Sequence, residues 1–162
     1  MVTANILREV WKGVVLAHKE GMTFTDEWSD VLDTDSAKHL PNVKWMPPQV
    51  QLVQEGNVMR SLFTVNMFFE DNHEADRRAG TREDVYERMQ VIAAQCFMFF
   101  KQTYIDTLTT YQGVKVLIAQ EGAATLTAAF DQPGEHITGC RLSATFRSDV
   151  QFCADDYFNA IT

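Results

Sequence analysis

The sequence predicts a single-domain α+β fold, in which an N-terminal helix and a mostly antiparallel sheet pack against one long helix over about residues 82–105. Three observations lead to this prediction. Two segments repeat apolar residues at helical steps, several shorter segments have strand character, and turn-forming residues separate most of them. The 162 residues suffice for one core, and no repeat or low-complexity linker divides them.

The first helix is predicted from about Ala4 to Lys19, with Thr3 as its N-terminal cap and Gly21 just after its end. The apolar residues of this segment recur at steps of three and four. They are Leu7, Val10, Trp11, Val14 and Ala17. We expect this face to cover another element, most plausibly the sheet.

The next segments are predicted as short strands around an acidic excursion. Residues 22–25 have strand character, whereas residues 26–36 are dense in Asp and Glu and are expected to be exposed. Prolines stand on both sides of residues 43–46, and proline cannot donate a hydrogen bond to a neighbouring strand. We therefore expect residues 43–46 at a sheet edge or strand entrance, followed by a strand over residues 49–54.

A hairpin is predicted around the turn at residues 55–58, with its second strand over residues 60–70. Apolar and polar residues alternate along that strand. The apolar positions are Phe63, Val65, Met67 and Phe69. Phe68 interrupts the polar face, which indicates either burial on both faces or a contact surface.

Residues 71–80 contain almost no apolar side chain, so we expect a surface loop of the kind that often carries function. Asp71, His73, Glu74 and Asp76 are potential metal ligands, but adjacent loop residues point in different directions. A solvated loop is therefore favoured over a metal site.

The Asp33–Asp35 pair is no EF-hand either, because Lys38 and Lys44 occupy the positions that require Gly and Glu.

The long helix is predicted to begin after Thr81, which forms a capping-box pattern with Asp84. Its apolar residues follow helical spacing. They are Val85, Met89, Ile92, Ala93, Cys96, Phe99 and Phe100. We expect this helix to be the spine of the core.

Three strands are predicted after the helix, over residues 114–119, 124–130 and 137–146. Turn residues at Glu121–Gly122 and at 131–134 separate them. The last strand alternates along its length. Cys140, Leu142, Ala144 and Phe146 fall on one face, and Arg141, Ser143, Thr145 and Arg147 on the other. One face should therefore pack on the core while the other meets water or a partner.

Charge and cysteine content exclude several classes of protein. The net charge is −8 and the 14 basic residues are scattered, which argues against binding to nucleic acid through its phosphates. The three cysteines make no disulfide framework and indicate thiols in a reducing compartment. We recognise neither a signal peptide nor an apolar stretch long enough to span a membrane.

We predict no enzymatic activity, no cofactor, no metal and no small-molecule substrate. Cys96 lies among apolar helix positions, where desolvation disfavours a thiolate. The four histidines are dispersed, and no nucleophile elbow, phosphate-binding glycine loop or zinc-protease motif is present. An enzyme whose site combines dispersed His and Asp residues remains an alternative.

The C-terminal residues 149–162 are interpreted as an arm on the single domain of residues 1–162. Phe152, Tyr157 and Phe158 would lie outside a finished core, and large aromatic side chains in such places mark interfaces. A frayed tail is the simpler interpretation.

The order of these elements resembles the small tail terminator and tail completion proteins of tailed bacteriophages and prophages. The resemblance rests on the 45–48 entrance and hairpin, the polar loop, the long helix and the closing strand Ile137-Thr-Gly-Cys-Arg-Leu-Ser-Ala-Thr-Phe146. It covers most of the chain. The acidic 26–36 excursion and the aromatic terminal segment depart from the smaller members of that family.

The resemblance implies a structural virion protein that forms a ring, usually of six copies, at the tail end or neck. Such a ring terminates the tail and joins it to the head, with tail tube and neck or connector proteins as partners. It would be assembled in the cytoplasm of a bacterial host. Six copies at −8 each would carry about −48, which would let DNA pass without adhering.

The expected subunit or partner interface draws on the hairpin, the polar loop, the last strand and the terminal segment. Its residues are Phe68, Asp71, His73, Arg77, Arg78, Arg141, Arg147, Phe152, Tyr157 and Phe158. The alternative function is a small intracellular protein-binding domain without catalytic activity.

Overall fold

The computed structural model describes residues 2–26, 40–56, 58–72, 81–111, 113–130 and 137–150. The remainder of the predicted acidic excursion, the turn at 131–134 and the aromatic terminal segment lie outside these residues. The α+β prediction is confirmed: helices pack on a mostly antiparallel five-stranded sheet.

The described residues form two helices and seven strands. The helices are α1 (Ala4–Leu16) and α2 (Arg82–Tyr104). The strands are β1 (Thr23–Asp26), β2 (Asn42–Glu55), β3 (Val58–Asn72), β4 (Thr109–Tyr111), β5 (Val114–Val116), β6 (Ala119–Phe130) and β7 (Ile137–Val150). The main sheet has the order β1-β2-β3-β7-β6, with only the β1–β2 pair parallel, and β4 and β5 form a separate hairpin.

Helix α1 begins as predicted and ends earlier than predicted. The Oγ1 of Thr3 accepts a hydrogen bond from the N–H of Ile6 at 3.2 Å, which caps the first turn. The helix stops at Leu16 because the chain turns towards β1, with Gly21 at φ 66°. Ala17 is consequently exposed and does not belong to the apolar face.

The predicted capping box of α2 is present. The Oγ1 of Thr81 accepts from the Asp84 N–H at 3.3 Å, and Asp84 Oδ2 accepts from the Thr81 N–H at 2.9 Å. The bond from the Thr81 N–H, together with one from the Thr81 hydroxyl to Asp84 Oδ2 at 2.8 Å, favours the charged carboxylate and lowers the pKa of Asp84. The predicted apolar face is buried except for Phe99, which is 51% exposed. Phe99 comes directly after the exposed Met98 and lies to one side of the buried stripe that contains Cys96 and Phe100.

The helices cover one face of the sheet, here called the inner face. Alternate residues of β3 and β7 are buried there, in agreement with the predicted patterns: Phe63, Val65, Met67, Phe69, Cys140, Leu142, Ala144 and Phe146. Trp11 of α1 stacks on Phe100 of α2 with 4.2 Å between ring centroids, and Phe100 lies 5.1 Å from Phe146. These contacts tie both helices to β7 and add about 0.5–1.5 kcal/mol per ring pair beyond the area buried.

Two predicted strand boundaries were wrong for related reasons. Residues 42–55 form one strand with a register shift between Met46 and Gln49, so Pro47 and Pro48 interrupt the pairing without ending the strand. These prolines follow the last pair with β1, beyond which β2 pairs only with β3 among the described strands. Glu121–Gly122 is likewise an irregularity within β6, with Gly122 at φ 69°, and not a turn between strands.

The predicted strand over residues 114–119 is divided. Its first part, β5, pairs with β4, a strand that the sequence did not predict. Ile118 then forms an isolated bridge with Ile105 before β6 begins at Ala119. This connection carries the chain from the end of α2 to the edge of the main sheet.

Gly139 marks a close backbone approach between β3 and β7. A Cβ atom at this position would lie 1.8 Å from the carbonyl oxygen of Phe69. Any side chain would therefore force the two strands apart at this point. The glycine of the closing strand has a definite steric role.

Candidate interface on the outer face and edge of the sheet

The outer face of the sheet is the side opposite the helices, and its central row crosses four strands. Lys44 of β2 pairs with Phe68 of β3, Phe68 with Arg141 of β7, and Arg141 with Thr127 of β6. Directly opposed side chains on neighbouring strands lie about 5 Å apart at Cβ. The register therefore sets a phenyl ring between two cationic side chains.

Side chains of the outer face remain accessible. Phe68 and Lys44 are half-buried, while Arg141 and Thr127 are exposed. The two central strands, β3 and β7, bury their inner-face residues almost completely. The contrast arises because both helices contact the inner face, with Trp11 and Phe100 reaching Phe146 there.

Polar contacts hold neighbouring strands of the outer face together. The hydroxyls of Thr64 and Thr145 lie 3.2 Å apart across β3 and β7. Arg147 Nη1 donates to Glu121 Oε1 of β6 at 2.7 Å. Arg147 is therefore engaged with its own sheet, six residues along β7 from Arg141. Arg141 is the more available cation.

Strand β6 forms one edge of the sheet and pairs only with β7 among the described strands. Residues 123–130 contain neither a charged residue nor a proline. Proteins commonly protect open edges with lysine, proline or bulges. The unpaired part of the β2 edge carries Pro47 and Pro48 beside a register shift, whereas β6 has its only irregularity before Thr125. The β6 edge from Thr125 onward is thus suited to accept another strand.

Asp71, one of the predicted interface residues, contacts the long helix of its own chain. It lies near the end of β3 and forms an ion pair with Arg88 of α2, and its side chain is only 13% exposed. Asp71 thus connects the sheet to the long helix. It does not join Phe68 and Arg141 on the outer face, because the alternation of β3 directs it to the opposite side.

Both described cysteines are buried thiols, as predicted. Burial raises the pKa of Cys96 to about 12 and that of Cys140 to about 11, because a thiolate is poorly solvated there. Neither thiol has the electropositive, accessible surroundings of a reactive cysteine. Within the described ranges, no group of three or more His, Cys, Asp or Glu side chains is arranged to hold a metal ion.

The structure brings together part of the predicted interface. Phe68 and Arg141 are direct partners, Arg147 lies farther along the same face, and Asp71 faces away. The other predicted residues, His73, Arg77, Arg78, Phe152, Tyr157 and Phe158, lie outside the described residues. Sequence reasoning missed Lys44 and Thr127. Their alternation with apolar neighbours was visible, but their place beside Phe68 and Arg141 depends on strand order.

No protein-family model and no curated protein matches this chain. No helix in the described part of the chain is both long and apolar enough to cross a membrane.

Proposed function

We propose that this chain is a structural virion protein of a tailed bacteriophage or prophage, forming a ring at the tail end or neck. The ring, expected to be hexameric, would terminate the tail and join it to the head. The observation that carries the proposal is the β6 edge, which is uncharged over residues 123–130 and pairs only with β7 among the described strands, beside an accessible outer face. These features favour a protein that continues its sheet into contacts with other subunits.

A ring requires a heterologous contact, in which two different surfaces of each subunit meet. Among the described strands, the main sheet has two different edges, β6 on one side and β1 with the later part of β2 on the other. A β6 edge that meets a different surface on the next copy satisfies this requirement. The row of Lys44, Phe68 and Arg141 supplies positive charge for contacts with copies of a protein whose net charge is −8.

The remaining partners follow from the same proposal. Tail tube and neck or connector proteins would contact the ring, and DNA would pass through its lumen without being gripped. Six copies would carry about −48, so an acidic lumen would repel the DNA backbone. The protein would reside in the virion after assembly in the cytoplasm of the bacterial host.

The test is the assembly state of the full chain, measured by native mass spectrometry and negative-stain microscopy. We expect rings from the unmodified protein and their loss in Thr125→Lys/Thr127→Lys, because lysines on an open edge oppose strand addition. Both positions are exposed, so the monomer should stay folded. Thr110→Lys is the matched control, since Thr110 is exposed in the separate β4–β5 hairpin.

A chain that stays monomeric at about 1 mM and forms no ring would contradict the proposal. The second candidate, a small intracellular protein-binding domain, would then be preferred. The row of Lys44, Phe68 and Arg141 favours that candidate independently. Its phenyl group stands between two cationic side chains, and this arrangement suits an acidic segment of a partner protein.

A further inference from the structure

The solvent side of α2 exposes large apolar side chains between residues 91 and 99 of the helix. Val91, Met98 and Phe99 are 54%, 52% and 51% exposed. These residues lie on the helix side of the sheet, away from the outer face. Exposed apolar residues are ordinary when single, but clustering on one surface indicates a contact.

The spacing of this cluster is that of a helix-pairing seam. Glu87, Val91, Ala94, Met98 and Lys101 follow one another at steps of four, three, four and three residues. This repeat aligns side chains along one line of a helix that packs on another helix. We call these five residues the α2 seam. It has an apolar centre, an acid at its N-terminal end and a lysine at its C-terminal end.

We propose that the α2 seam pairs with the α2 seam of a second copy of this chain, antiparallel and about a twofold axis at Ala94. Ala94 then meets Ala94 of the other copy. Val91 lies beside Met98, and Glu87 lies beside Lys101, each in two symmetrical contacts. The small side chain at the axis allows the helices to approach closely, towards the short end of the usual 8–10 Å range.

Charge complementarity selects both the partner and the direction. In the antiparallel arrangement each Glu87 faces a Lys101, whereas a parallel pair would set Glu87 against Glu87 and Lys101 against Lys101. Neither side chain forms an ion pair with another described residue, so both are available for this contact. The seam is therefore complementary to itself in one direction only.

A hollow beside the seam supplies a second match. The open hollow, of about 430 Å³, is lined by Arg88, Val91, Ile92 and Gln95 together with Glu20, Asp84 and Glu87. Arg88, Ile92, Gln95 and Phe99 form a row parallel to the seam, at steps of four, three and four residues. The twofold rotation places the two copies of this row on the same side of the contact between the helices. In the resulting pair, Phe99 of one copy lies opposite the segment between Arg88 and Ile92 of the other copy. Phe99 therefore sits over the other copy's hollow.

This contact is separate from the proposed ring. A twofold contact joins two copies and then closes, whereas a ring needs the heterologous contact assigned to the sheet edges. The α2 seam would thus form dimers of the free chain or join two rings. It does not depend on whether the chain is a virion protein.

The principal test is a charge-swap series measured by sedimentation equilibrium on the full chain. In a Thr125→Lys/Thr127→Lys background, which opposes the proposed ring, we expect a monomer–dimer equilibrium that Lys101→Glu weakens roughly tenfold, because two attractive pairs become two repulsive pairs. Glu87→Lys/Lys101→Glu should restore the dimer. Lys115→Glu makes the same charge change in the separate β4–β5 hairpin and should leave the dimer unaffected. The series is repeated on the chain with an unmodified β6 edge, so that loss of a ring is distinguished from loss of the dimer.

Cysteine cross-linking in a Cys153→Ser background tests the direction. Ala94→Cys should form a disulfide between copies under mild oxidation, and Val91→Cys alone should not. A mixture of Val91→Cys and Met98→Cys chains should form the mixed disulfide. A wild-type chain that stays monomeric at about 1 mM, a failure of the double charge swap to restore the dimer, or cross-linking of Val91→Cys with itself would overturn the proposal.

Discussion

The inner and outer faces of the main sheet use the same strands but meet different surroundings. Phe69 is fully buried on the inner face, while the adjacent Phe68 is half-buried on the outer face. Leu142 and Ser143 show the same contrast on β7. Composition alone therefore does not make a face part of the core. The two helices decide which face is removed from water, and the other face keeps side chains that can meet a partner.

The strongest way to break this comparison is to place a charge on each face in turn. We expect Leu142→Asp to lower the free energy of unfolding by several kcal/mol, roughly 3–5, because an unpaired carboxylate would be buried against α2. Ser143→Asp should change it by about 0.5 kcal/mol or less, since its side chain faces outward. Urea denaturation of both variants measures the difference. Equal tolerance of the two substitutions would show that the register of β7 is wrong.

A milder comparison removes one of two neighbouring aromatic rings. Phe69→Ala should cost about 3–5 kcal/mol, because it leaves a cavity in the core. Phe68→Ala should cost about 1 kcal/mol or less, since water already reaches that ring. Thermal and urea unfolding of the two variants provide the measurement, at low protein concentration so that assembly does not contribute. Similar losses would mean that something covers the outer face in the free chain.

The smallest expected difference concerns the ion pairs of the two faces. Asp71→Asn should lower stability by about 1–2 kcal/mol, because Asp71 is largely buried and ties β3 to Arg88 of α2. Glu121→Gln should lower it by about 0.5 kcal/mol or less, because both Glu121 and Arg147 are substantially exposed. Urea titrations at low and high salt would separate the two, and the Glu121 effect should decrease further as salt screens it. A larger effect at Glu121 would contradict the assignment of faces.

The parts of the fold that were predictable are those governed by local chemistry. Thr81 and Asp84 form their capping box because its two hydrogen bonds span only three residues. The buried residues of β3 and β7 follow from a strict alternation that any half-buried strand would show. The errors arose at turn-forming residues, which are compatible both with the end of a strand and with an irregularity inside it. Pro47–Pro48 and Glu121–Gly122 both suggested that a strand ends, yet each is an irregularity within a continuing strand.

The candidate interface was predictable only in part. Phe68 was identified because it breaks the polar face of its own strand, and Arg141 because it alternates with apolar residues. Their pairing, and the addition of Lys44 and Thr127 to the row, required the strand order. The exposure of Phe99 was not predicted, since helical spacing alone does not locate the edge of the buried stripe.

The sequence by itself determined which residues of each strand and helix share a face, and therefore the α+β class. This information is local, because side-chain direction repeats every two residues in a strand and every 3.6 in a helix. Only the tertiary structure decided that β7 lies between β3 and β6, that the helices cover the face of Leu142, and that β6 is the outermost described strand on its side of the sheet. Those features depend on contacts between residues far apart in the chain. An isolated strand could form such contacts through either of its faces, so its own sequence does not select one.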